Sequence, residues 1–139
     1  MPNPTNTVVT LLVNTATINQ NNKNSKVTFS DNQGDPAENP GNPNVYYSSV
    51  NVGAQISWIG QSENGTDTVQ ITSVSQKTTD GGSDILQSIG NPNNGQVTAI
   101  ARSVYVSGDE NYNVSFTINN NTSNPYTIDP KIRMKEGAK

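Results

Sequence analysis

Over several short stretches of this chain apolar and polar residues alternate, the period of a strand with one face in a core. In residues 50–58, Val50, Val52, Ala54, Ile56 and Trp58 take every second position, with Asn51, Gly53, Gln55 and Ser57 between them. In residues 111–118, Tyr112, Val114, Phe116 and Ile118 face one way and Asn111, Asn113, Ser115 and Thr117 the other. The run TVVTLLV, with TATI after it, is rich in β-branched residues and too short for a convincing helix, so it predicts a strand buried on both faces for part of its length. Further short strands are expected at 26–30, from Val69 through Val74 and at 96–106, and residues 85–89 are read as a short turn or edge segment. Ser73 and Val74 are out of phase with Val69 and Ile71, which a bulge near Ser73 would repair.

Turn chemistry separates these runs. QSENGTD carries the Asn-Gly pair that favours a tight hairpin, and NQNNKNS, TTDGGSD, NPNNG and SGDE read as loops. DNQGDPAENPGNPN, residues 31–44, holds three prolines and two glycines and is read as a long surface loop. Residues 135–139 read as a flexible C-terminal tail. No segment sustains a helical period with a cap, and no fixed repeat is visible. The pattern predicts one all-β domain over residues 1–139, an antiparallel β-sandwich of about 7–8 short strands with its topology left open.

The segment YTIDPKIRM interrupts an alternating strand with Asp129 and Pro130. Proline cannot donate to a ladder, so this strand is expected at a sheet edge or bulged at that point. In phase, Tyr126, Ile128, Pro130, Ile132 and Met134 face the core, while Thr127, Asp129, Lys131, Arg133 and Lys135 form an outward row. Charge on that row would block unwanted strand addition; a second reading makes Asp129 a ligand or an acceptor for a neighbouring loop.

Composition narrows the chemistry. Of the 139 residues 30% are hydrophobic and 14% charged, with a net charge of −3. Disorder normally comes with large net charge, and the strict alternation argues for an ordered fold. Eight Lys and Arg against eleven Asp and Glu provide no basic patch for nucleic acid. No apolar run is long enough for a membrane span, and the N-terminus lacks a basic signal-peptide region, so the expected compartment is the cytoplasm. Zero cysteines remove disulfides and thiolate chemistry, and zero histidines remove the commonest general base and transition-metal ligand. An activated Ser or Thr has no recognisable base, and the acids form no recognisable catalytic pair, so no enzymatic activity is expected.

Two binding chemistries remain. Calcium takes oxygen ligands on flexible loops, and Asp31 with Asp35, Asp80 with Asp84, and Asp109 with Glu110 offer acidic points in turns, though without EF-hand spacing. Carbohydrate recognition needs amides and a stacking ring, for which Asn42, Asn44, Tyr46, Tyr47 and Asp129 are the candidates. Tyr46 and Tyr47 are adjacent, so in a strand one of them points outward. Trp58 shares its phase with Ile56 and is assigned to the core.

The order Tyr126-x-x-Asp129-Pro130-x-Ile132 near the C-terminus resembles the closing motif of the bacterial inclusion-body protein family of PixA/AidA type. LLVNTATI resembles its first strand, with Asn14 where the family commonly has Asp; DPAENPGNPN resembles its Asn/Pro-rich segment. VGAQISWIGQS resembles its Gly-x-x-Ile-x-Trp element, and ENYNVSFTI resembles the strand before the closing motif. The resemblance implies a cytoplasmic β-sandwich that self-associates as a homo-oligomer or larger assembly, without catalysis or an obligatory cofactor. A lectin-like, calcium-assisted module is the other reading carried forward.

Overall fold

The structure, a computed structural model, describes residues 6–33, 46–77 and 83–135. These form ten strands: β1 (Thr7–Val13), β2 (Val27–Asp31), β3 (Tyr47–Val50), β4 (Gln55–Ser62), β5 (Val69–Gln76), β6 (Leu86–Ile89), β7 (Val97–Ala101), β8 (Asp109–Ile118), β9 (Tyr126–Ile128) and β10 (Lys131–Met134). One sheet runs β2-β1-β4-β7-β6, and the other runs β3-β10-β8-β5, with β9 also on β8. The expected all-β fold is present. Its sheets are mixed rather than purely antiparallel, because β1 lies parallel to β4 and β10 parallel to β3. Most of the expected long loop and tail falls at 34–45 and 136–139, outside the described residues.

The inward phases of both sheets close one core. Val9, Leu11, Phe29, Ile56 and Trp58 from the first sheet meet Ile71, Tyr112, Val114, Phe116 and Ile132 from the second, all fully buried. Burying such side chains stabilises by about 1.5–3 kcal/mol each before conformational entropy is charged against it. Two polar side chains inside the core pair across the layers. The indole Nε1–H of Trp58 donates to the Tyr112 hydroxyl at 2.9 Å, and Thr7 Oγ1 donates to the Ser49 carbonyl at 2.7 Å. Phe29 stacks on Tyr46 and Phe116 on Tyr126, with ring centroids 5.3 and 5.4 Å apart.

Two expectations about strand connection are corrected. The alternation through residues 50–58 crosses from one sheet to the other, because β3 ends at Val50 and β4 begins at Gln55, with Gly53 at φ 74° between them. The Asn64-Gly65 turn likewise leads from β4 in one sheet to β5 in the other, so β5 pairs with β8 and not with β4. Gly60 permits the close approach of those layers: a Cβ there would lie 2.4 Å from Val69 Cγ1. The register slip expected near Ser73 is present between Ile71 and Ser73.

The Asp129-Pro130 interruption is resolved by register. Val114 faces Ile128 and Asn111 faces Lys131, an unbroken antiparallel register on both sides of the break, so no residue is inserted. Tyr112 therefore falls opposite Pro130 and donates its N–H to the Pro130 carbonyl at 3.3 Å. The return bond is the one proline cannot make. The β9 half pairs only with β8, whereas the β10 half lies between β8 and β3.

Candidate functional site

The residues singled out from sequence do not converge. Asn42, Asn44, Asp35 and Asp80 lie outside the described residues. Tyr46 is buried against Phe29, and its hydroxyl donates to Asp31 Oδ2 at 2.8 Å while accepting from Ser48 Oγ at 2.9 Å. Burial drives its phenol well above the usual tyrosine range. Tyr47 points outward as one of the pair must, and the Arg133 guanidinium covers its ring at 3.8 Å from the centroid. Asp129 accepts from Lys77 Nζ at 3.2 Å, Asp84 pairs with Arg102 at 2.5 Å, and Asp109 holds Arg133 through both carboxylate oxygens at 2.7 and 3.2 Å. Among the described residues no three acidic side chains gather as a metal site.

Two other acids are more tightly engaged: Asp67, to which the sequence assigns no role, and Glu110, expected beside Asp109 as an acidic point in a turn. Asp67 accepts from Thr15 Oγ1 at 2.6 Å, Asn64 Nδ2 at 2.8 Å and Asn119 Nδ2 at 3.0 Å. These donors, Asn119 first, hold its carboxyl down at about 2. Glu110 lies in the apolar phase of β8, buried beside Tyr112 and Val114. Its Oε1 accepts the backbone N–H groups of Ile85 and, at 2.8 Å, Leu86, so it clamps the start of β6 in one sheet to β8 in the other. Oε2 is buried with no partner among the described residues. Burial raises the Glu110 carboxyl above its ordinary range. The legible signal was an acid in phase with a buried strand face, where the sequence reading saw only a turn.

Two open clefts flank the Asn-rich loops. One, of about 290 Å³, is lined by Thr15, Ile18, Asn119, Asn121, Asn124 and Tyr126 among others. Its amides are largely committed to neighbours: Asn119 Oδ1 accepts from Thr68, and Asn124 accepts from Gln20 and donates to the Tyr126 hydroxyl. The other, of about 430 Å³, runs along residues 60–70 beside Asn94 and Gly95.

The outer surfaces of the two sheets differ more sharply than any cleft. On the five-stranded sheet β2-β1-β4-β7-β6 the outward phase reads Thr28 and Ser30, then Val8, Thr10 and Leu12, then Gln55, Ser57, Ile59 and Gln61, then Thr98 and Ile100, with Gln87 and Ser88 exposed on β6. Asp31 is the single charged residue within those five strands, and it is in the inward phase with Tyr46. Ladder partners place these side chains in rows: Ser30, Thr10 and Ile59 lie abreast, as do Val8, Ser57 and Thr98. Ser57 and Thr98 share a hydroxyl hydrogen bond at 3.0 Å. Charges begin one residue past the strand ends, at Lys26, Glu63 and Arg102. The other sheet carries Asp109, Lys131 and Arg133 on its strands and Lys77, Asp129 and Lys135 beside them.

Known proteins resemble the chain in fold. Among solved structures, a crystal structure of an inclusion body protein, PixA, from Burkholderia cenocepacia J2315 matches with a TM-score of 0.62 and 14% identity, covering 94% of this chain and 95% of that one. No family model matches the sequence, and no curated protein matches it. The resemblance expected from the closing motif is therefore present at the level of the fold.

Proposed function

We propose that this chain is a non-enzymatic bacterial protein that self-associates and accumulates in the cytoplasm as inclusion-type assemblies of folded molecules. The observation that carries this reading is the end-to-end sharing of a fold with an inclusion body protein, 94% of one chain on 95% of the other. The chemistry agrees. Histidine and cysteine are missing from the sequence, and Asp84, Asp109 and Asp129 are each held by a cation. Nucleophilic and acid–base catalysis draw most often on His or Cys, which the sequence lacks, and these three carboxylates are each paired with a Lys or Arg and not with a nucleophile. No helix of the described residues is long and apolar enough to cross a membrane.

The test is expression in a bacterial host followed by electron microscopy and gentle lysis. Inclusions that dissolve in native buffer and yield β-rich protein with cooperative unfolding are the expected result. Protein that remains dispersed at high expression, or that pellets only as denatured aggregate, would overturn the proposal.

A further inference from the structure

Self-association requires a surface that can meet its own copy. In a two-fold contact the same patch lies on both sides, residue i meeting residue j and j meeting i, so a charge near the axis is brought toward its own like charge and any other must find an opposite partner or lose its water. On the outer face of the β8-containing sheet Asp109 is already paired with Arg133 and Asp129 with Lys77, so a contact there would have to dehydrate charges that already have partners. Among the described residues the strands of the β4-containing sheet place no charge on its outer face. The three exposed large hydrophobic residues among those described, Ile100, Val104 and Tyr105, also fall on its β7 strand or on the loop that leaves it.

Resting on the self-association reading, we infer that the outer face of the β2-β1-β4-β7-β6 sheet is the contact between two copies of this chain, packed face to face about a two-fold axis. Threonine, serine, valine and isoleucine at Val8, Thr10, Ser57, Ile59, Thr98 and Ile100 give a surface on which methyl groups interdigitate at the usual sheet spacing of about 10 Å. Their hydroxyls remain able to bond across it. Charges at Lys26, Glu63 and Arg102, beyond the strand ends, form a hydrated rim around an uncharged centre, the pattern of specific interfaces. Five strands at about 4.8 Å spacing and up to eight residues long give a footprint of roughly 500 Å² per copy, so the pair buries about 1,000 Å². That lies at the lower bound for a specific contact. A reversible dimer follows, not an obligate one.

The test compares the wild-type chain with Ser57→Lys/Thr98→Lys at the centre of this face and with Asn113→Lys/Ser115→Lys on the outer face of the other sheet. Folding is checked by far-ultraviolet circular dichroism and self-association by sedimentation velocity over a concentration series. Like charges opposed in a contact should weaken the first variant by about 100-fold or more and leave the second near wild type. The absence of cysteine permits a second readout that needs no charge: single Thr98→Cys and Ser115→Cys variants carrying nitroxide labels. A shorter inter-label distance at 98 than at 115 is expected for face-to-face packing. Wild-type association with both charged variants unaffected, or with the shorter distance at 115, overturns this face while keeping self-association. A wild-type chain that stays monomeric at every concentration overturns both.

Discussion

Trp58 and Tyr112 are both fully buried on opposite layers of the sandwich and joined by the indole N–H to phenol hydrogen bond at 2.9 Å. Tyr112→Phe removes the acceptor and leaves the ring in place, stranding a buried donor. An unsatisfied buried donor costs about 1–3 kcal/mol, more than the net worth of the bond, because the N–H can no longer reach water. The rings themselves, 5.4 Å apart and tilted by 56°, keep their contact. With an unfolding entropy of roughly 2.1 cal/mol/K per residue, a loss of that size lowers Tm by about 3–10 °C in a chain of 139 residues. Trp58 is the single tryptophan, so its fluorescence reports the site directly. Denaturant melts of wild type, Tyr112→Phe, Trp58→Phe and the double variant should give a coupling energy of at least about 0.5 kcal/mol. Additivity within experimental error, with an unchanged tryptophan emission spectrum in Tyr112→Phe, would refute the claim that this bond ties the two layers.

Gly60→Ala should destabilise by about 1–3 kcal/mol in a denaturant melt, since the new methyl would meet Val69 Cγ1 at 2.4 Å and the Val69 carbonyl oxygen at 2.7 Å; a neutral result would mean the layers separate freely there. Glu110 has its carboxyl raised by burial, so its folded form holds a proton that the unfolded chain has already released. Its contribution is present below the ordinary carboxylate range and is lost as pH rises through the raised value. The stability of wild type relative to Glu110→Gln should therefore fall as pH rises above the ordinary carboxylate range, and a difference independent of pH would contradict the burial argument. Asp129→Asn, which removes an ion pair whose side chains are 25% and 43% exposed, should cost no more than about 1 kcal/mol. A larger loss in the same melt would give the Asp129-Lys77 pair a structural weight that its exposure does not account for.

Much of this architecture is legible in the alternation itself. The inward phases of β4 and β8, the core placement of Trp58 and the slip near Ser73 follow from period-2 patterning, because a single residue of register moves a whole side-chain row between core and solvent. Pairing is less legible. The alternation through Val50, Val52 and Ala54 continues across a sheet-to-sheet corner at Gly53, and Asn64-Gly65 makes a crossover where local chemistry suggests a hairpin, because a turn does not record which sheet receives the next strand. The parallel β1-β4 and β3-β10 ladders join residues far apart in sequence, which no local pattern encodes. Acidic loop residues were sought as ligands, yet Asp84 and Asp109 meet Arg102 and Arg133, partners supplied by other strands and loops. The uncharged sheet face was present in the sequence as strands whose single charge, Asp31, falls in the inward phase. It became a surface only when the topology set those strands side by side.

Self-association is most directly tested by sedimentation equilibrium of the purified chain from about 1 µM upward, a range that brackets the micromolar affinity of a contact at the lower bound of specific interface areas. The account calls for a weight-average mass that rises reversibly from 14.8 kDa toward twice that value and beyond as concentration increases. A mass fixed at that of the monomer throughout, from protein shown to be folded, would contradict it.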